Sequence, residues 1–390
     1  MRVGLLTAFI AMAWLCQQVT GSVAQTRPSA SSSGPAKVSA PKERSLSKQA
    51  GVDVSPYTAG LLTGPPQSTE FAIVQDIATT LASGQETGPR GEVALRVLPM
   101  VGTGGIRNIL DVLTLAGADM AIAPIVLVDR LRGTRTTADI QNKLVYITPL
   151  FVEEFHLLAR SEIRSLSDLE GKRVNLGEEG STAAVLGREV LNRLEVKVSE
   201  VNLGLDVALD GMGKGEIFAS LLVSGKPVNV LTRYGQAEGI HLLPIPYSQA
   251  LQQDYLPSTF RYEDYPNIIG KGESVDTIAV KCALFAYNWP TRSERFQLLE
   301  FFVETLFSRF PEFLGDAHHP KWREVNLHEV LPGWRRFQPA ERWLQRQSGG
   351  EAALRKAFGR FLDQKRPSNP LDHEELFQDF MRWRERKQVR

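Results

Sequence analysis

From Val54 onward the chain alternates short apolar runs with amphipathic stretches, and that alternation restricts it to an α/β architecture. Tyr57 to Thr63 reads as a strand, ended by Gly64-Pro65-Pro66. Phe71, Val74, Ile77, Ala78 and Leu81 then recur at helical spacing. Val93 to Leu98 reads as a second strand. Gly102-Thr103-Gly104-Gly105 follows, and then a helix with Ile106, Ile109, Leu110 and Leu113 on one face. The turn Ala116-Gly117-Ala118-Asp119 leads into a third strand, Met120 to Ala123. The scheme returns downstream. Arg173 to Gly177 is strand-like, Glu178-Glu179-Gly180-Ser181-Thr182 is a polar loop, Ala183 to Leu194 is an amphipathic helix, and Ile217 to Val223 is apolar again. A connection near Phe155 to Ser161 separates the two systems, as in a protein of two lobes with a cleft between them.

The N-terminus reads as an address. Arg2, the apolar run Val3 to Leu15 and the small residues of Ser22-Val23-Ala24 form a signal peptide cleaved after Ala24. The run is shorter than the ~20 residues a membrane span needs. Trp14 and Leu15 stand where a lipoprotein signal before Cys16 requires small residues. Residues 25–50, rich in Ser, Ala, Pro and Lys, read as a flexible tether. The mature chain is therefore expected to be soluble and periplasmic. Cys282 is then its lone cysteine, and the apolar run Thr277 to Tyr287 marks it as a buried, inert thiol. Beyond Pro320, Trp322, Trp334 and Trp343 are spread among charges. The chain then becomes helical in pattern, with breaks at Gly349-Gly350 and at Pro367 to Pro370, and ends in a run of arginines. This reads as a solvated terminal helix, with a partner-docking appendage as the alternative.

The chemistry of the chain points away from catalysis. With 45 Lys and Arg against 44 Asp and Glu, the net charge of +1 gives no field to draw nucleic acid, and no such partner is expected. There is no His-Glu-x-x-His pattern, no Cys/His cluster, no Gly-x-Ser-x-Gly elbow, no Walker ending after Gly102 and no dinucleotide fingerprint. The expectation is a non-enzyme without cofactor or metal, with His318-His319 in a surface turn. Glu153-Glu154-Phe155-His156 lies in the apolar run Tyr146 to Ala159, which reads as a strand whose charged ends point at a cleft. The positive signals are the loops Gly102 to Gly105 and Gly180-Ser181-Thr182, each just before a helix. In an open α/β sheet, ligands bind beyond the carboxyl ends of the strands. A helix N-terminus there offers free N–H groups and the positive end of its dipole, which suits an anion.

Several stretches resemble a family. Phe155 to Arg160 and Ile163 to Gly177, which includes Asp168-Leu169-Glu170-Gly171-Lys172-Arg173-Val174, resemble type II periplasmic binding proteins. Leu242-Leu243-Pro244-Ile245-Pro246 and Asp276-Thr277-Ile278-Ala279-Val280 are more specific and resemble the TAXI family, the solute receptors of TRAP transporters. The likeness covers roughly residues 54–310. It implies two α/β lobes on a hinge that close on an amino acid or small carboxylate and deliver it to a TRAP-type permease. The implied organisation is a signal peptide (1–24), a linker (25–50), a first lobe (51–160 and 249–318), a second lobe (161–248) and a C-terminal helical extension (319–390). The ligand residues implied are Thr69 and Phe71 in the first loop, and Thr103, Gly104, Gly105 and Asn108 in the second. Glu154 and then Gly180, Ser181 and Thr182 complete the set, with Glu154 or Glu70 receiving any ammonium. The sequence departs from the family at these loops. Gly105 replaces a serine, Phe71 lacks a tyrosine hydroxyl, a Gly-Ser-Gly-Thr pattern has become Gly180-Ser181-Thr182-Ala183, and Phe218 replaces an aspartate. A lost partner for a buried polar group costs about 1–3 kcal/mol, so glutamate is not assumed as the ligand. A sensor that reports occupancy through the C-terminal extension is the alternative function.

Overall fold

Strands of a parallel sheet covered on both faces read as continuous apolar runs, and β1 (Thr58–Thr63) is such a strand. Ala59 and Leu61 enter one core while Leu62, between Leu61 and Thr63, enters another. The computed structural model describes residues 57–83, 95–132, 139–233 and 239–365. The chain continues through α1 (Thr69–Ser83), β2 (Arg96–Val101), α2 (Gly105–Thr114), β3 (Met120–Pro124), α3 (Ile125–Arg130) and α4 (Ile140–Lys143) into the long strand β4 (Leu144–Arg160). A second series follows: β5 (Arg173–Asn175), α5 (Thr182–Arg193), β6 (Ser199–Val201), α6 (Leu205–Gly213), β7 (Ala219–Ser224), β8 (Ile240–Leu242) and β9 (Leu256–Arg261). A second long strand, β10 (Ser274–Tyr287), returns the chain to α7 (Glu294–Ser308) and α8 (Gln338–Lys365).

The ten strands of the described residues form one sheet, in the order β2-β1-β3-β10-β4-β7-β5-β6, with β8 added to β4 and β9 to β10. Its two ends are built alike. On one side β2, β1 and β3 run parallel and are closed by antiparallel β10. On the other, β6, β5 and β7 run parallel and are closed by antiparallel β4. The two long strands pair with each other and so belong to both halves. β4 pairs with β10 from Leu144 to Glu154 and with β7 from Glu154 to Ala159. Register shifts in β10 at Lys281/Ala283 and Leu284/Phe285 interrupt its pairing with β4 on the first-half side of that crossing. Each half has helices on both faces. The first is packed around Ile73, Phe302 and Phe337 on one side and Ile109, Ala121 and Phe285 on the other. The second is packed around Leu157, Leu186 and Leu221, and around Leu158, Leu209 and Phe260. Two doubly wound halves joined by two crossing strands make the two-lobed type II periplasmic-binding-protein fold.

Several expectations change. Phe155 to Ser161 is not a loose connection, because Phe155 to Arg160 is the second-half portion of β4, hydrogen-bonded to β7 and β8. β2 begins at Arg96, later than expected, and Val93 and Ala94 lie outside the described residues. The buried face of α2 is Gly105, Asn108, Ile109 and Val112, since the helix packs its small and amide side chains against β3 and the cleft loop. Residues 320–344 are packed into the body of the protein rather than spread among charges in solvent. Trp322 is 1% exposed and its indole N–H donates to Asp76 Oδ2 at 2.9 Å. The Trp334 indole donates to Asp129 Oδ1 at 2.7 Å. Acids that surround these tryptophans in space thus satisfy the polar edge that burial demands. Tyr146 N donates to Arg335 O and Phe337 N donates to Tyr146 O, which stitches the segment onto β4. α8 runs through Gly349-Gly350 without a break. Glycine costs only about 1 kcal/mol inside a helix, and the first turns of α8 are already anchored in the core through Phe337, Ala340 and Leu344. The signal-peptide and linker assignments, Cys16, and Pro367 to Arg390 lie outside the described residues. No helix among the described residues is long and apolar enough to cross a membrane.

Candidate ligand-binding cleft

The loops beyond the carboxyl ends of β1, β2, β5 and β6 converge on a cavity of about 220 Å³. The first half contributes Ser68 from the β1–α1 turn, Glu70 from the first turn of α1, and Thr103 and Gly104 from the β2–α2 loop. The second contributes Ser181 and Thr182 at the start of α5, the run Leu203 to Val207 before and within α6, and Leu221 to Val223 of β7.

The two glycine-containing loops face each other. Gly104 caps α2 with φ +86° and Gly105 follows at φ +57°, left-handed values that favour glycine. A Cβ on Gly105 would lie 3.0 Å from Thr182 Oγ1, so glycine at this position lets the start of α5 come close. Opposite, Ser181 caps α5 by accepting from Ala184 N at 3.1 Å. The Thr182 hydroxyl is buried and has no hydrogen-bond partner among the described residues. Glu70 is 4% exposed, and its Oε1 is likewise without a partner. Burial pushes its carboxyl up to about 7, while the Ser68 hydroxyl pulls the other way. Among the lining residues are the acids Glu70, Glu178 and Asp206, with no Lys, Arg or His.

The sequence profile of the NMT1-like family matches residues 61–333, from β1 to Gly333. The chain belongs to the NMT1-like family. The match passes the expected end of the first lobe at 318 and takes in the segment that carries Trp322. Among solved structures, this NMT1-like chain is similar to the alkanesulfonate-binding protein SsuA from Xanthomonas axonopodis pv. citri bound to MOPS, with 14% identity and a TM-score of 0.39 over 70% of this chain and 83% of that one. An amino acid ABC transporter substrate-binding protein from Streptococcus pneumoniae bound to L-arginine gives 15%, 0.38, 70% and 95%. The GluR0 ligand-binding core from Nostoc punctiforme in complex with L-glutamate gives 14%, 0.37, 68% and 95%.

Of the residues expected to bind ligand, the NMT1-like fold brings Thr103, Gly104, Ser181 and Thr182 to the cavity wall. Gly105 stands directly behind, against Thr182. Others do different work. The Thr69 hydroxyl donates to Gly225 O at 2.6 Å and its N–H to Ser224 Oγ at 3.0 Å, so it ties α1 to the end of β7 across the two halves. Asn108 accepts from Gly104 N and donates to Thr63 O, which holds the loop in shape. Phe71 is half-buried on α1, and Gly180, at φ +79°, turns the chain into the α5 cap; neither is in the cavity lining.

Glu154 is the largest displacement from expectation. It is buried away from the cavity lining, paired with Lys321 Nζ at 2.7 Å, and accepts from Lys226 N at 2.9 Å. Lys321, itself 1% exposed, also meets Glu324 at 2.7 Å. Neighbouring Glu153 is fully buried, and neither of its oxygens has a partner among the described residues. Its carboxyl is pushed well above the ordinary range by burial and by nearby Glu70. His156 is buried too and shares a 2.7 Å hydrogen bond with the Tyr265 hydroxyl; desolvation lowers it to about 3, so the ring is neutral. The charged run Glu153 to His156 therefore points into the interior rather than at the cleft, because β4 is covered on both faces. His318 and His319 are half-buried rather than in an open turn, the first against Asp76 and Phe313, the second capping residues Pro320–Glu324. Cys282 is buried beside Glu153, and burial raises its thiol well above the usual range. No group of His, Cys, Asp or Glu among the described residues is placed to hold a metal ion.

Sequence reasoning missed Asn175, the Leu203 to Val207 stretch and Lys321. Asn202-Leu203-Gly204-Leu205 does carry a signal, since it repeats the strand–glycine–helix grammar of the other two loops.

Proposed function

We propose that this NMT1-like protein is an extracytoplasmic solute receptor that closes its two halves on an amino acid or related carboxylate-containing solute. Delivery to a TRAP-type permease, and a periplasmic location, belong to the same reading and are supported by the TAXI-like motifs Leu242 to Pro246 and Asp276 to Val280. One observation carries the proposal. A cavity bounded by loops from both halves holds two buried polar groups, Glu70 Oε1 and Thr182 Oγ1, that no atom of the described residues satisfies. Such groups cost about 1–3 kcal/mol each when left unmet, and a ligand's donor and acceptor offset that cost. Free N–H groups at the starts of α2 and α5 suit the carboxylate, and Glu70 suits the ammonium.

A thermal-shift screen of the chain from Gln25 against amino acids, dicarboxylates, keto acids and aromatic acids tests this. A binder at a hundredfold excess over Kd adds about 2.7 kcal/mol to the folded state. The reading predicts a shift with one chemical class, lost in Ser181→Glu, which sets a negative charge at the α5 cap. A ligand whose affinity survives Ser181→Glu does not sit where this reading puts it.

A further inference from the structure

Among the described residues the cleft wall carries acids and no base, and that asymmetry says which end of a ligand is recognised. Glu70 lines the cavity, while Glu153, on the adjoining stretch of β4 opposite Val280, lies close enough to Glu70 for the two charges to oppose each other. Around the pair stand the Ser68 hydroxyl from the turn before α1, the Cys282 thiol from β10, and the Glu154–Lys321 ion pair. Lys321 makes its ion pairs with Glu154 and Glu324, and neither Glu70 nor Glu153 has an ion pair among the described residues. Glu178 and Asp206, also in the cavity wall, add further negative charge.

We propose that the cleft selects its solute by a cationic amine that lands on Glu70, and that this amine enters in exchange for a proton. The Glu70 O–H bond breaks, the proton passes to solvent, and an ammonium N–H donates to the carboxylate that remains. One positive charge leaves the cleft as another arrives, so the buried site keeps its charge. Glu153 stays protonated throughout, because burial opposes its charge and a second carboxylate beside the first is held off by repulsion. The inference rests on the receptor reading and adds to it the recognised group and its proton linkage.

The test uses three probes with one apolar body and different charges: isopentylamine, isovalerate and leucine. Each is titrated calorimetrically into the protein at pH 6 and pH 8, in buffers of different ionisation enthalpy. The amine and leucine are expected to bind about tenfold more tightly at pH 8 than at pH 6 and to release a proton, since Glu70 ionises around 7. Isovalerate is expected to bind weakly, and more weakly still at pH 8. Glu70→Gln should weaken the amine by roughly tenfold or more and abolish its pH dependence. Glu153→Gln, which keeps a neutral group at that position, should preserve both, and circular dichroism melting confirms that each variant folds. Amine binding that ignores pH and survives Glu70→Gln overturns the inference and leaves the receptor reading standing, as does isovalerate binding more tightly than the amine. Failure of all three probes to bind, together with no shift in the amino-acid screen, overturns both.

Discussion

Glu153 and Glu154 are consecutive in β4, equally buried, and opposite in circumstance. Glu154 has a cation built for it: Lys321 arrives from 167 residues away and seals the crossing of the two long strands. Glu153 has no ion pair among the described residues and sits beside Glu70, the acid that lines the cleft. A buried charge with an internal partner is part of the architecture. A buried acid at a cavity with no partner is an unfilled half of an interaction, and the fold tolerates it by holding the proton on. The distinction explains why the acid expected to meet the ligand, Glu154, does not line the cleft, whereas Glu70 does.

The comparison is broken most severely by removing the partner. Lys321→Ala leaves Glu154 buried and without its cation, and is expected to cost about 3–5 kcal/mol of unfolding free energy in urea titration. The same change in a Glu154→Gln background should cost much less, and equal costs in the two backgrounds would show that Lys321 acts by packing alone. Trp322→Ala tests the anchor of the same segment, with an expected loss of about 3–5 kcal/mol for a large buried aromatic. On the cleft side the effects are smaller and change sign. Thr182→Val removes a hydroxyl that no described residue satisfies, so the ligand-free protein should gain roughly 1 kcal/mol while losing affinity for its solute. Ser181→Ala removes the α5 cap and should cost about 1 kcal/mol by thermal melting, with the cleft otherwise intact.

The sheet was legible because it depends on local pattern. Apolar runs such as Met120 to Ala123 and Ile217 to Val223 carry their strand assignment in a few consecutive residues, and the glycines of 102–105 announce a close approach before a helix. Pairing across long separations was not legible. Nothing near Glu154 in sequence points to Lys321, and nothing in a Trp among charges says that Asp76 and Asp129 wait for Trp322 and Trp334 in space. The cleft lay between these extremes. Thr103, Gly104, Ser181 and Thr182 follow from the grammar of loop before helix. Thr69 and Asn108 stand in the first turns of the helices that follow such loops, but their hydrogen bonds are spent on holding the backbone. Which way a side chain turns in a first helical turn decides between the two roles, and that is settled by the neighbouring strand rather than by the residue itself.

The most direct test of the unpartnered acid needs no ligand: the difference in unfolding free energy between Glu70→Gln and the unaltered protein, followed from pH 4 to pH 8. Burial raises the Glu70 carboxyl from an ordinary 4.5 to about 7, so the folded state keeps its proton where the unfolded chain has lost it. Relative to the variant, the unaltered protein therefore loses stability as pH rises through that window. Below pH 4.5 both states are protonated and the ionisation contributes no difference. Above pH 7 the variant should be the more stable by about 3 kcal/mol compared with its standing at pH 4. A difference that stays flat across the range, or that moves in favour of the unaltered protein as pH rises, would show that Glu70 already has its partner and that the cleft is not waiting for one.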